Sequence, residues 1–185
     1  MADKPILFSA PMVNAILRGA KTQTRRVIKP QPPSNFRLWG KPIDNHFAWT
    51  DHPTQGEKGQ VINITCPICI GDTLWVRETY AMHTVSGETL PVYRADSYPD
   101  GDGAPWKPSI FMPRTLSRIT LRVTSVRAQR VQDISEDDAA AEGIDRHSGP
   151  YILDFAKLWD SINEDRGYSW NSNPWVWVYN FDVTA

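Results

Sequence analysis

The run Trp175-Val176-Trp177-Val178 sets large apolar side chains at consecutive positions. A strand sends successive side chains to opposite faces. Such a run therefore needs cover on both sides and belongs in the middle of a sheet. Pro174 opens this strand, which is read as Trp175 to Val183. The rest of the chain has to supply its neighbours and its two coverings. Pro5 to Phe8 reads as a first strand, Val61 to Ile64 as a short one, Asp72 to Thr79 as a firm one and Leu90 to Arg94 as another. Ser117 to Arg127 reads as a long strand with Ile119, Leu121 and Val123 on its inner face. Val126 and Ala128 break that alternation, which predicts a bulge near Ser125.

Helical signals are short. Pro11 to Arg18 has Met12 and Ile16 inward, with Ala15 and Leu17 beside them. Ser9 stands at the cap, Pro11 in the first turn, and Gly19 stops the segment. Ser135-Glu136-Asp137-Asp138 reads as a capping box opening a helix over Glu136 to Glu142, closed by Gly143. Tyr151 to Asn163 shows Tyr151, Phe155, Leu158 or Trp159, and Ile162 at helical spacing. Strands with two or three short helices and no βαβ alternation predict an α+β fold around a partly closed mixed β-barrel. At 185 residues the chain reads as one domain, 1–185, with insertions at about 29–60 and 82–105. Residues 29–60 read as irregular, broken by Pro30, Pro32, Pro33, Pro42 and Pro53. Their aromatics, Phe36, Trp39, Phe47 and Trp49, either pin the loop to the body or stack on a base.

Between the first helix and the next strand lies Gly19-Ala20-Lys21-Thr22-Gln23-Thr24-Arg25-Arg26. As a strand it carries Thr22, Thr24 and Arg26 on one face, and Gln23, Arg25 and Val27 on the other. Neither face is apolar, yet its flanks Ile6-Leu7-Phe8 and Val27-Ile28 look like core. Two readings fit: a cleft wall that meets an anion or polar base, or an exposed edge strand blunted with charge.

The net charge of −1 conceals a strong asymmetry. Residues 1–30 hold six Lys/Arg against one acid. Residues 106–130 hold Lys107, Arg114, Arg118, Arg122, Arg127 and Arg130 with no acid, and residues 132–165 hold ten acids against Arg146 and Lys157. If the two basic segments adjoin in the fold, they form one positive face suited to nucleic acid. The other reading is mutual neutralisation across the surface. No run of ~18 apolar residues is present, so no membrane span is expected. No signal peptide is read, and the expected compartment is the cytoplasm. Cys66 and Cys69 form a Cys-x-x-Cys. A zinc site would need more than His46 and His52, and a redox motif would want a helix after Cys66. Two loop or core thiols are expected, with no metal and no cofactor.

Gly-x-Lys-Thr-x-Thr-x-Arg after a short helix resembles the signature of the ASCH family, a group of PUA-like β-barrels. The stretches Gly71 to Glu78, Trp106 to Arg114 and Ile134 to Ala139 agree in order, and together are similar to a phage- and prophage-type subgroup. The resemblance implies a PUA-like fold and a cleft that handles a nucleobase. Some small ASCH proteins are amidohydrolases that remove the acetyl group of N4-acetylcytidine. Motif by motif, the resemblance places the catalytic Lys on Lys21, the Thr on Thr24 and the Glu on Glu142. Lys21 and Thr24 point to opposite faces of an ideal strand, so this assignment requires a turn or bulge at Lys21-Thr22.

Further residues are expected to bind substrate or nucleic acid: Arg25, Arg26, Arg77, Glu78, Tyr80, Lys107, Arg114 and Arg118. The expected partner is a nucleoside, or RNA or another modified nucleic acid. Two alternatives stand beside the hydrolase. One is a non-catalytic RNA or modified-base reader that stacks a base on Trp39, Trp75, Tyr80 or Trp106. The other is a ribonuclease, although no catalytic His pair is evident.

Overall fold

The structure is a computed structural model that describes residues 2–51, 59–96, 105–144 and 149–184. Strand β1 (Asp3–Leu7) and helix α1 (Ala10–Leu17) lead into β2 (Gln23–Val27). Strands β3 (Arg37–Ile43), β4 (His46–Thr50), β5 (Val61–Thr65), β6 (Thr73–Arg77), β7 (Tyr80–Val85) and β8 (Glu88–Tyr93) follow. Then come β9 (Thr120–Arg130), α2 (Glu136–Ala141), α3 (Tyr151–Asn163) and β10 (Trp175–Val183). The expected α+β class is what the chain adopts. The principal sheet has the order β1-β6-β9-β10-β2 and is mixed, since β1 runs parallel to β6 while the other pairs are antiparallel. It is not closed: β1 and β2 form its two edges.

β10 lies between β9 and β2, and its alternation divides the core. Trp175, Trp177, Tyr179 and Phe181 pack on one face with Ile6, Phe8, Val13, Ile16, Leu74 and Leu121. Val176 and Val178 pack on the other with Val131, Ile134, Phe155 and Trp159. The bulge in β9 falls at Thr124, because Asn180 pairs with Ser125 and Phe181 with Val123. In α1 the buried residues are Val13, Ala15 and Ile16, while Leu17 is exposed. Eight residues give too little periodicity to choose that face. Ser9 occupies the cap position, but its side chain makes no capping bond.

The stretch 29–60 is more regular than its prolines suggest. β3 and β4 form a hairpin, and β4 pairs onward with β5. Phe47 and Trp49 pin this small sheet to the body. Phe47 meets Trp177 edge-on with centroids 4.7 Å apart, and Trp49 meets Trp175 at 5.9 Å.

One polar tie secures the chain's start. Asp72 accepts from Lys4 Nζ at 2.6 Å, from the Cys69 amide at 2.9 Å and from the Ala2 amide at 2.8 Å. Burial opposes its ionisation, but these donors outweigh it and hold the carboxyl at about 2. A depressed carboxyl pKa stabilises the fold above the unfolded value of 3.8. That contribution, ~2 kcal/mol, is lost as pH falls through the folded value. Urea midpoints measured from about pH 5 down to about pH 2 are expected to fall. Asp72→Asn should lie lower at pH 5 and remove that part of the slope. An unchanged slope in the variant would refute the assignment.

Candidate functional site

The site begins where two short helices end against each other. Gly19, at φ +72, turns the chain out of α1. The amides of Ala20 and Lys21 then both donate to Ala15 O, at 2.8 and 3.0 Å. Lys21 pairs as an isolated antiparallel bridge with Glu142, the C-cap of α2, and Thr22 N donates to Ala141 O at 2.9 Å. Only after this does β2 start. The required break before Thr24 is therefore this crossing of two helix ends. Gly143 makes the crossing tight: a Cβ there would stand 2.7 Å from Ala15 Cβ and 2.8 Å from Lys21 Cβ.

Lys21 is 1% exposed. Its Nζ donates to Glu142 Oε2 at 2.7 Å and to the Glu142 carbonyl at 2.8 Å. Arg25, also buried, donates from Nη1 to Glu142 Oε1 at 3.0 Å and to Gln23 Oε1 at 2.5 Å. One carboxylate is thus held between two buried cations. Burial draws the Lys21 ammonium below its ordinary pKa, Arg26 and Arg25 push the same way, and Glu142 opposes them.

A second tier holds the first. Arg25 Nη2 and Arg127 Nη2 converge on Asp138 Oδ2 at 2.8 and 2.6 Å, while Gln23 Nε2 donates to Asp138 Oδ1 at 3.0 Å. Burial works against the Asp138 charge, but the Gln23 amide and the two guanidiniums hold its carboxyl below the usual range. The basic segments do come near one another, with β2 and β9 flanking β10. However, the acidic helix α2 supplies Asp138 and Glu142 to them. At this place the neutralised reading describes the structure better than a bare positive face.

Above this network lies a half-enclosed cavity of about 870 Å³ along β2, the sheet edge. Phe8, Ser9 and Met12 line one side, Phe155, Leu158 and Trp159 the other. Thr24, Arg25, Arg26 and Glu142 are in its wall, and Lys21 stands behind Glu142. Thr24 pairs with Tyr179 across the sheet and is buried. Among the described residues its hydroxyl has no hydrogen-bond partner.

Backbone bonds from Phe181 N to Thr22 O and from Ile28 N to Trp175 O set the alternation. By that alternation the amides of Arg25 and Val27 point away from β10, off the open edge. Arg26 donates to Leu7 O at 2.9 Å and to Arg25 O at 3.3 Å, and lies 5.2 Å from the Phe8 ring centroid. Burial lowers its pKa from the ordinary arginine value, and a guanidinium stays protonated regardless.

The remaining expected binding residues are elsewhere. Arg118 grips buried Glu78 through two bonds of 2.9 and 3.0 Å and Asp96 through two more of 2.9 and 2.8 Å, and it lies 4.0 Å over the Tyr93 ring. Arg77 donates to Met112 O at 3.0 Å, and Arg114 pairs with Asp3 at 2.9 Å. Trp75 sits beneath both guanidiniums. Tyr80 is buried and bridges with Lys107. None of these six lines the cavity. Arg118→Ala would strand the Glu78 carboxylate and is expected to cost ~3 kcal/mol in urea unfolding. Binding at the cavity should not change. A loss of ligand affinity with unchanged stability would reverse that assignment.

The stacking candidates Trp39, Trp75, Tyr80 and Trp106 do not line the cavity either. Its aromatics are Phe8, Phe155, Trp159, Tyr168, Trp177 and Tyr179. Core-like spacing in α3 and β10 concealed their second role. Thr65, Pro67 and Ile68 bring the Cys66–Cys69 loop to the rim. Cys66 and Cys69 are free thiols. Cys66 lies 3.3 Å from the Tyr179 hydroxyl, and burial pushes both groups up. Cys69 meets the Asn45 amide. Among the described residues no group of three His, Cys, Asp or Glu could hold a metal ion, and no helix is long and apolar enough to cross a membrane. No histidine is among the described lining residues.

No protein-family model matches the chain, and no curated protein matches it. A similar solved structure is an ASCH domain from Lactobacillus crispatus JV V101, at 15% identity and a TM-score of 0.43. The match covers 98% of this chain and 79% of that one. That likeness is too distant to carry an activity over.

Proposed function

We propose that the cavity is the active site of an amidohydrolase that deacylates N4-acetylcytidine-type substrates through Lys21, Thr24 and Glu142. The observation that carries this reading is the setting of Glu142. Among the described residues it is the one carboxylate of the cavity wall, shared by two buried cations, in the same wall as the unpartnered Thr24 hydroxyl. The signature motif in the sequence, which resembles that of the ASCH family, supports the same three residues, and a PUA-like, phage-type ASCH identity with them.

The chemistry follows from the pair. A desolvated ammonium 2.7 Å from a carboxylate can pass its proton across, leaving a neutral amine and a carboxylic acid. The Lys21 amine then takes the Thr24 proton as the Thr24 oxygen bonds to the acyl carbon. The tetrahedral oxyanion falls to the amides on the open edge of β2. As the C–N bond breaks, Glu142 gives its proton to the departing cytosine amine. Water attacks the Thr24 ester, gives one proton to the Glu142 carboxylate and keeps the other, so that acetic acid is freed. The ester oxygen recovers the proton held by Lys21, and Thr24 is restored.

Chromatography of cytidine released from N4-acetylcytidine tests this. Release is expected from the wild type and is expected to fall at least ~100-fold in Lys21→Met and Thr24→Ala. A second reading, a reader of RNA or a modified base, is favoured by the cationic lining. Tight binding of the acetylated nucleoside without any release would select it over the hydrolase.

A further inference from the structure

The cavity carries positive charge that the acyl transfer does not consume. Lys29 and Arg166 both line it, and both are exposed, which places them at its opening. Arg26 lies behind them; the Glu142 carboxylate favours its charge, and Arg166 is near enough to oppose it more weakly. None of the three is paired with a carboxylate among the described residues. Arg26 bonds only to backbone carbonyls, and Lys29 rests 5.2 Å from the Tyr168 ring centroid. Arg166 ends the 3₁₀ turn Glu164–Arg166, but its neighbours Glu164 and Asp165 do not line the cavity. The lining's single described acid, Glu142, is already held by Lys21 and Arg25. Arg25, Arg114, Arg118 and Arg127, by contrast, each meet a carboxylate.

Arg26 and Arg166 repel each other, Lys29 adds a third positive charge to the same lining, and an anion there is favoured. The wall beyond them is apolar and aromatic, with Phe155, Trp177 and Tyr179. A volume of about 870 Å³ lies within the usual range for small-molecule sites. A ligand suited to both parts carries a flat ring and an anion.

We infer that Lys29, Arg166 and Arg26 form a phosphate subsite, and that the substrate class is a nucleoside monophosphate with an acylated base rather than a free nucleoside. The acylated base rests on the function proposed above. The phosphate subsite does not.

Two experiments on the full chain separate them. Titration calorimetry compares cytidine 5′-monophosphate with cytidine. The phosphorylated ligand is expected to bind at least ~10-fold more tightly, and added salt should erode that advantage. Lys29→Ala and Arg166→Ala should each cost that ligand ~3-fold or more, and the double variant should bring it to within about twofold of cytidine. Equal binding of the two ligands, no binding of either, or an advantage that survives the double variant would overturn the subsite. So would tighter binding of a cytidine trinucleotide lacking a terminal phosphate, which would assign the cations to a polymer backbone.

Separately, deacylation of N4-acetylcytidine 5′-monophosphate is compared with that of the nucleoside. A kcat/KM at least ~10-fold higher, lost in the double variant, supports the nucleotide as substrate. Equal values refute it. Failure to deacylate either, with the calorimetric preference intact, refutes the amidohydrolase and keeps the phosphate subsite.

Discussion

Glu142→Ala is expected to cost about 3–5 kcal/mol of stability and to abolish deacylation. The variant leaves Lys21 buried and uncompensated and Arg25 with Asp138 alone, the two losing a charged partner at 2.7 and 3.0 Å. Lys21 cannot swing into water, because its side chain is 0% exposed and is enclosed at the crossing of two helix ends. Urea unfolding reads the loss as a lowered midpoint at constant slope. Stability and chemistry can be uncoupled by changing both partners. Lys21→Met with Glu142→Gln removes the pair but fills its space, so it should recover roughly half or more of the lost stability. Activity should stay absent, since neither base nor acid remains. A Glu142→Ala protein as stable as the wild type would refute the buried-pair account. Activity in the double variant would refute the assigned roles.

Gly143→Ala is the second large effect, expected at about 2–4 kcal/mol. Two costs add. At φ +79 a side chain is strained, worth ~1–2 kcal/mol. The new methyl would also meet the Ala15 and Lys21 β-carbons at 2.7 and 2.8 Å. Neither neighbour is the tip of a flexible side chain, so the backbone has to shift. That shift separates Lys21 from Glu142, and activity should fall beyond what instability explains. Gly71→Ala is the control, because Gly71 has φ +87 and open space where the Cβ would stand. It bears the conformational cost alone. Equal losses in the two variants would remove the steric part of the argument.

What could be read from the chain followed local physics. β10 announced itself through apolar residues on both faces, and α3 through its spacing. The bulge in β9 showed as a broken alternation. The β3–β4 hairpin did not show, because it is held by Phe47 and Trp49 against residues more than a hundred positions away. Charge was legible in amount but not in arrangement. Arg118 carries no local sign that Glu78 and Asp96 will clamp it, and nothing near Arg25 foretells Asp138. Lys29 and Arg166 are illegible for the same reason. Each is an ordinary surface cation until the fold sets both at one opening.

Thr24 as nucleophile is the central claim, and trapping its ester tests that claim most directly. Wild-type protein mixed in excess with N4-acetylcytidine or its monophosphate is quenched in acid within the first turnover, digested and mapped by mass spectrometry. The account predicts an acetyl group on Thr24, formed no later than cytidine and absent from Thr24→Ala. Cytidine released at the wild-type rate by Thr24→Ala, or first-turnover release with Thr24 never acetylated, would contradict it.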